Sequence, residues 1–422
     1  MKRRIIVITL TCCLVLGGCS KDTESPVVET VVKEAVTTTL VREVGSPAAP
    51  GSAEPHLVTS PEGAVVMSWF EPVADTDRHA IRFASWRDGA WSEPRTIVER
   101  NDFFVNWADF PTMAISADGA MFVHWPQKSG EGTYAYDVVM SISTDGGDSW
   151  AEPFVVHDDG TQTEHGFVSL MPIGEDSVAA IWLDGRAMTE GSHDDVMGSM
   201  TLRYAEFSSS GQKSNETLLD DRTCECCQTS LAMTSQGPIV LYRDRSVDEI
   251  RDISVIRKTG DGWSEPASVF DDGWKIDGCP VNGPRVEARG DRVVAAWFSG
   301  ANDERRVFAA LSTDGGATFG DRTVVDDGKP AGRVDLEMLS DGSAVVTWIE
   351  QIDESAEVRA RRIIADGSMD ESIRVGETTT ARSAGFPRSA GMAGDSILFA
   401  WTEPGDPSRI RTSLTEWKGI TR

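Results

Sequence analysis

Cys224, Cys226 and Cys227 crowd one short segment, and Cys279 follows further along the chain. Deprotonated sulfurs at this spacing can present several ligands to one soft ion, Cu(I) or zinc. In an oxidising compartment the same four residues would pair as two disulfides, for which three connectivities exist. His165 is a possible further metal ligand. Around these stand groups that suit a small ligand. Arg186, Arg243 and Arg245 offer bidentate forks for a carboxylate, or else pair with Asp184, Asp244 and Glu249. Asn106 and Asn282 offer amides, and Trp107 offers a face on which a sugar can stack. Asp109 and Asp184 are acids or turn and cap groups. His56, His79, His124, His157 and His193 have no metal-like spacing and receive no assignment.

These residues are scattered along the chain, so elements must bring them together, and an internal repeat does so. A short apolar strand ending in an aromatic recurs seven times, 51 to 60 residues apart. Its copies are Val65–Trp69, Met121–Trp125, Val178–Trp182, Ile239–Tyr242, Val293–Trp297, Ala344–Trp348 and Ile397–Trp401. Turns with Gly beside Asp or Glu precede the copies, and an alternating strand, a tight turn and a last strand follow. Four short antiparallel strands per unit predict an all-β fold, a β-propeller of seven blades, with six as the alternative. The seventh unit has no room for a fourth strand, and 36–44 reads like one, so this segment is expected to close the ring. In a propeller the connections between blades share one face with the loops between second and third strands. That face would collect the four cysteines, His165, Trp107 and the arginines.

Two turns between third and fourth strands carry a resemblance. Ser143-Thr144-Asp145-Gly146-Gly147-Asp148-Ser149-Trp150 matches the Asp-box pattern S-x-D-x-G-x-x-W, and Ser312 to Phe319 matches it with Phe in the last place. The chain thus resembles the sialidase-like (BNR or Asp-box repeat) propellers over nearly all of 56–422. The Asp-boxes imply fold and not activity. A family sialidase holds the substrate carboxylate with three arginines, attacks with a Tyr partnered by a Glu, and uses an Asp as acid and base. The resemblance implies Asp109, Glu164, Tyr134 and Tyr136 for the last three roles. Arg186, Arg243, Arg245, Arg333 and Arg388 are available for the first. The family's early F/Y-R-I-P motif has no counterpart, and Phe386-Pro387-Arg388 lies far from its place.

At the N-terminus Lys2, Arg3 and Arg4 precede an apolar run that ends in Leu16-Gly17-Gly18-Cys19, the layout of a bacterial lipoprotein leader over 1–18. Cys19 would carry the lipid, 19–55 would be mostly tether, and the exported protein would sit on the outer membrane or cell surface. Membrane contact is expected through the lipid anchor only. A net charge of −27 argues against nucleic-acid partners, though a few pocket arginines can still hold a small anion. The expected function is a surface-anchored propeller that binds a small ligand, a glycan or a metal (copper or zinc) near the cysteine cluster. An exo-α-sialidase or related glycoside hydrolase is the alternative, and a protein-docking scaffold a third.

Overall fold

The computed structural model describes residues 40–188, 198–260 and 262–417. The leader, Cys19 and His193 lie outside them. Seven antiparallel sheets follow one another in chain order, and each of the seven aromatic-ended segments is the second strand of a blade. The second strand is buried on both faces because each blade packs between two others. It therefore reads as a continuous apolar run and not as an alternation. Trp69, Trp125, Trp182, Trp297 and Trp348 are fully buried, so each indole N–H needs an acceptor. Four find it two residues on: Trp69 in Glu71 at 3.0 Å, Trp125 in Gln127 at 3.2 Å, Trp182 in Asp184 at 2.8 Å and Trp348 in Glu350 at 2.7 Å.

Val41–Val44 closes the ring. It pairs antiparallel with Arg409–Glu416, the third strand of blade 7, and Thr412 Oγ1 donates to the Val44 carbonyl at 3.1 Å. The remainder of 36–44 precedes the described residues. The expected tether ends too late at 55, because Ala53–Thr59 is already the inner strand of blade 1. Its Glu, Pro and His hide a strand that faces a polar channel. The inner strands enclose that channel, about 400 Å³, lined by His56, Arg285, Glu287, Asp335, Glu337 and Arg388 among others.

The two octapeptides form matching turns. Ser143 Oγ accepts from Gly147 N at 2.8 Å and Ser312 Oγ from Gly316 N at 2.9 Å. Asp145 and Asp314 then accept from the backbone of Ser149 and Thr318 at 2.9 and 3.0 Å. Both second glycines have positive φ and touch the preceding blade. A Cβ on Gly147 would lie 2.5 Å from the Phe83 ring, and one on Gly316 2.2 Å from Ile239.

Candidate functional site on the top face

The connection from blade 3 to blade 4 holds three of the cysteines. Thr223 N bonds the Met200 carbonyl at 2.9 Å and Cys224 N the Arg243 carbonyl at 3.1 Å, which fixes the segment between two blades. Arg243 is buried and donates to the carbonyls of Asn282, Arg251 and Phe298 at 2.6 to 3.0 Å. It thereby ties the connection of blade 5, and Cys279 with it, to blade 4. The sulfur of Cys224 lies 3.5 Å from that of Cys227 and 3.9 Å from that of Cys226. Cys279 approaches through Cys226 and is exposed.

Cationic groups surround the sulfurs. Arg251 Nη1 is 3.2 Å from Cys224 Sγ and 2.9 Å from Glu225, and its other nitrogen bonds Glu249 at 3.0 Å. Arg245 bridges the same two glutamates. Burial would raise the Cys224 thiol, but hydrogen bonds from Cys226 and Cys227, with Arg251 and Arg243, hold it well below the usual thiol range. Burial instead pushes Cys226 and Cys227 up. Cys279, by contrast, is lowered, chiefly by its hydrogen bond from Cys226.

Next to it, Tyr136 donates to Glu164 at 3.0 Å and stacks on Phe104 at 4.2 Å. Asp109 lies against the same tyrosine and accepts from Phe167 N at 3.0 Å. Burial raises Asp109 to about 7 and Glu164 to about 8, so at neutral pH Glu164 is mostly protonated and Asp109 is divided between its two forms. Tyr136 is wholly enclosed. Tyr134, more than two-fifths exposed, packs only its edge on Phe104.

The arginines have structural partners. Arg186 forks onto Asp184 at 2.7 and 2.8 Å. Arg333 donates to the carbonyls of Ala381, Gly385 and Thr380. Arg388 rests beside Asp335 at 3.4 Å and over the Phe110 ring. Asn106 caps its own turn through Ala108 N at 2.8 Å, and Asn282 Oδ1 accepts from Arg333 N at 2.6 Å. Over blades 4 to 7 a cleft of about 570 Å³ opens, walled by Trp107, Trp274, Asn282, Arg305, Arg382 and Cys279 among others. Arg333 lies 4.9 Å from the Trp107 ring centre. His165 meets His157, Asp159 and Asp184.

Sequence reasoning missed His157, Asp159 and the channel acids Glu287 and Glu337. It also missed the pairing of each Trp with an acceptor two residues on, although Trp69-x-Glu71, Trp125-x-Gln127, Trp182-x-Asp184 and Trp348-x-Glu350 are plain in the chain. That repeat gives Asp184 a structural duty before any other.

No family model matches the chain, and no curated protein does. Among solved structures it is similar to the endosialidase of phage phi92, at 7% identity, TM-score 0.50, covering 91% of this chain and 70% of that one. A variant of the NanB sialidase from Streptococcus pneumoniae aligns at 8% identity and TM-score 0.46, over 90% and 94% of the two chains. The fungal lectin of Aleuria aurantia, a six-bladed propeller, aligns at 12% identity and TM-score 0.44, over 77% and 96%. At these identities the likeness is one of fold.

Proposed function

We propose that this protein is an exported, lipid-anchored propeller whose top face holds a thiophilic ion, Cu(I) or zinc, on Cys224, Cys226, Cys227 and Cys279. The ion lies at the wall of a cleft for a small glycan or acidic ligand. One observation carries the reading: the sulfurs stand 3.5 and 3.9 Å apart. A tetrahedral site with metal–sulfur bonds of ~2.3 Å has edges of ~3.8 Å. Cys279 belongs to both the cluster and the cleft wall, so an occupied site would stiffen one side of the cleft. Aromatic faces beside guanidinium groups suit a sugar bearing a carboxylate.

The test is elemental analysis of protein purified with copper or zinc present, with thiol counting on the same sample. One ion per chain, lost in Cys226→Ser/Cys227→Ser, is the expected result. Absence of metal together with cysteines that alkylate only after reduction would mean disulfides and overturn the proposal. The anchor is tested separately: Cys19→Ala should leave the protein soluble or unprocessed.

Glycoside hydrolysis is the second reading, favoured by the Tyr136–Glu164 pair with Asp109 beside it. In that reading Tyr136 attacks, Glu164 takes its proton and Asp109 protonates the leaving group. It requires Glu164 to lose the proton that burial gives it, the enclosed Tyr136 to become accessible, and the arginines to leave their present partners. A fluorogenic sialoside turned over by the wild type and not by Tyr136→Phe would establish it.

A further inference from the structure

We propose that the seam between blades 2 and 3 is a second metal site of a different kind, in which His157, His165 and Asp137, completed by Asp159 or Asp184, take a divalent first-row ion such as zinc. The residues come from four elements. Asp137 lies on Tyr136–Ser143, the third strand of blade 2, and His157 and Asp159 follow that blade's outer strand. His165 opens the inner strand of blade 3, His165–Ile173, and sits opposite Asp184 in the ladder to Ser177–Asp184.

The two imidazoles stack with centres 3.7 Å apart and planes within 5°, so one ring must turn out of the stack for both Nε2 atoms to reach one ion. Each has its Nδ1 engaged: His157 with Asp159 Oδ2 at 2.9 Å, His165 with the Thr163 carbonyl at 3.1 Å. A carbonyl only accepts, so His165 carries a hydrogen on Nδ1, and Nε2 is bare in the neutral ring. The carboxylate partner assigns His157 the same tautomer. A ring N–H given to a carbonyl or carboxylate is the usual arrangement behind a metal-bound histidine.

Both Nε2 atoms are buried without a hydrogen-bond partner, and so is Asp137 Oδ1. His165 is fully enclosed and the His157 side chain is 2% exposed. What these nitrogens face are oxygens: Asp137 at 3.6 Å from His157, and Asp159 at 3.2 Å and Asp184 at 3.7 Å from His165. Lone pairs turned toward lone pairs in a buried space repel one another, unless a cation lies between them. Two of the separations are long for hydrogen bonds, and the third, 3.2 Å, has the wrong geometry for one. They bracket the ~3.3 Å edge expected of a tetrahedron with ~2.0–2.1 Å metal–ligand bonds. Ligand atoms of Asp137, His157 and His165 all lie within 4.8 Å of one another, as do those of Asp159, His165 and Asp184.

Charge points the same way. Three carboxylates converge on the seam, where Arg186 pairs with Asp159 and Asp184 and Arg203 reaches Asp184 only at 3.8 Å. Arg203 and Lys213 are mainly occupied with Glu216 and Asp158. Trp182 and Arg186 hold Asp184, and Thr161 holds Asp159, so the oxygens are already oriented. Nitrogen and oxygen donors without sulfur suit zinc and its first-row neighbours better than Cu(I). The seam therefore differs in chemistry from the cysteine cluster.

Cobalt(II) and zinc titrations of the purified protein test this, because cobalt on thiolates shows a sulfur charge-transfer band that nitrogen and oxygen ligands do not give. A Cys224→Ser/Cys226→Ser/Cys227→Ser variant should still bind one cobalt without that band. Adding His157→Ala, or separately Asp137→Asn, should weaken this binding by about a hundredfold or more while the melting transition stays cooperative. If the serine variant does not fold, His157→Ala in the wild-type background should remove the band-free cobalt and leave any thiolate-bound cobalt in place. The inference fails if no band-free cobalt binds, or if it binds undiminished after both substitutions, the seam then being held by a shared proton. Loss of the thiolate band alone would sink the cysteine proposal and leave this one standing.

Discussion

On the top face of blades 2 to 4 Arg186, Arg245 and Arg251 meet carboxylates, whereas beside the cleft over the later blades Arg333 meets the backbone. Asp184 holds Arg186, and Arg251 and Arg245 hold Glu225, Glu249 and the Cys224 sulfur. On the far side Arg333 holds three carbonyls and no carboxylate, so its charge is not cancelled, and burial lowers it to about 10. The first side pairs its guanidinium groups with carboxylates. The second leaves positive charge beside an open cleft, in a protein that is acidic overall. Loops of one repeat thus differ in how their arginines are paired, while the two Asp-box turns are alike.

Asp184→Ala should break the first side most severely. It strands the Trp182 N–H and the Arg186 fork in a buried position, and about 3–5 kcal/mol of unfolding free energy should be lost in a denaturant titration. A loss below about 1 kcal/mol would mean that Arg186 is satisfied by Asp159 and Glu216 alone.

The next effect is in pH, and its sign differs between two carboxylates of the same side. Hydrogen bonds from Arg186 and Trp182, with His165 nearby, outweigh burial and lower Asp184, so its contribution is lost as pH falls through its folded value. Burial raises Glu164 from 4.5 to about 8. The folded state keeps this proton while the unfolded state releases it, so stability should fall as pH rises from about 4.5 to 8. Glu164→Gln should remove that slope, gaining on the order of 2–4 kcal/mol at pH 8 relative to wild type. Equal pH slopes in the two proteins would show that Glu164 is ionised in the fold.

On the second side, Arg382→Ala removes an exposed guanidinium from the cleft wall. Stability should change by less than about 0.5 kcal/mol, whereas affinity for N-acetylneuraminate, followed by calorimetry, should fall about tenfold, or ~1.4 kcal/mol. An uncharged sugar bound equally by both proteins would shift the cleft from acidic to neutral ligands. The smallest effect concerns Cys279. Its hydrogen bond from Cys226, with Arg251 nearby, holds this exposed thiol below the usual range, so it should alkylate before the other three at neutral pH. Arg251→Gln should slow it by a few-fold, and a faster rate would mean that exposure and not charge controls it.

The seven second strands were legible because each ends in an aromatic after an apolar run, and the closing strand because the last repeat is one strand short. Three cysteines share one segment, so their convergence could be read directly. The seam could not be, since Asp137, His157, His165 and Asp184 lie on separate elements whose spacing is set by the ring and by no local period. His157 and His165 become neighbours only when blade 3 docks on blade 2. The duties of Arg243 and Arg333 were hidden for another reason: their partners are main-chain carbonyls, which leave no mark on residue type. For Arg186 the sequence left two readings open, a ligand's carboxylate or Asp184, and in the structure it forks onto Asp184.

The closing pair joins Val41–Val44 to Arg409–Glu416, and Thr412 and Val44 stand 368 positions apart. A ribosome delivers the chain from its N-terminus, so the earliest of these strands must wait, unpaired, for nearly the whole protein to be made. Until then blade 7 has no outer strand and its third strand offers a bare edge, the kind of template on which foreign strands add. Once the blades have stacked, the two ends already lie close and the last pairing costs little further chain entropy. Assembly of this molecule is thus timed by its final residues, and a chain cut short near Arg409 would lose one strand yet expose two.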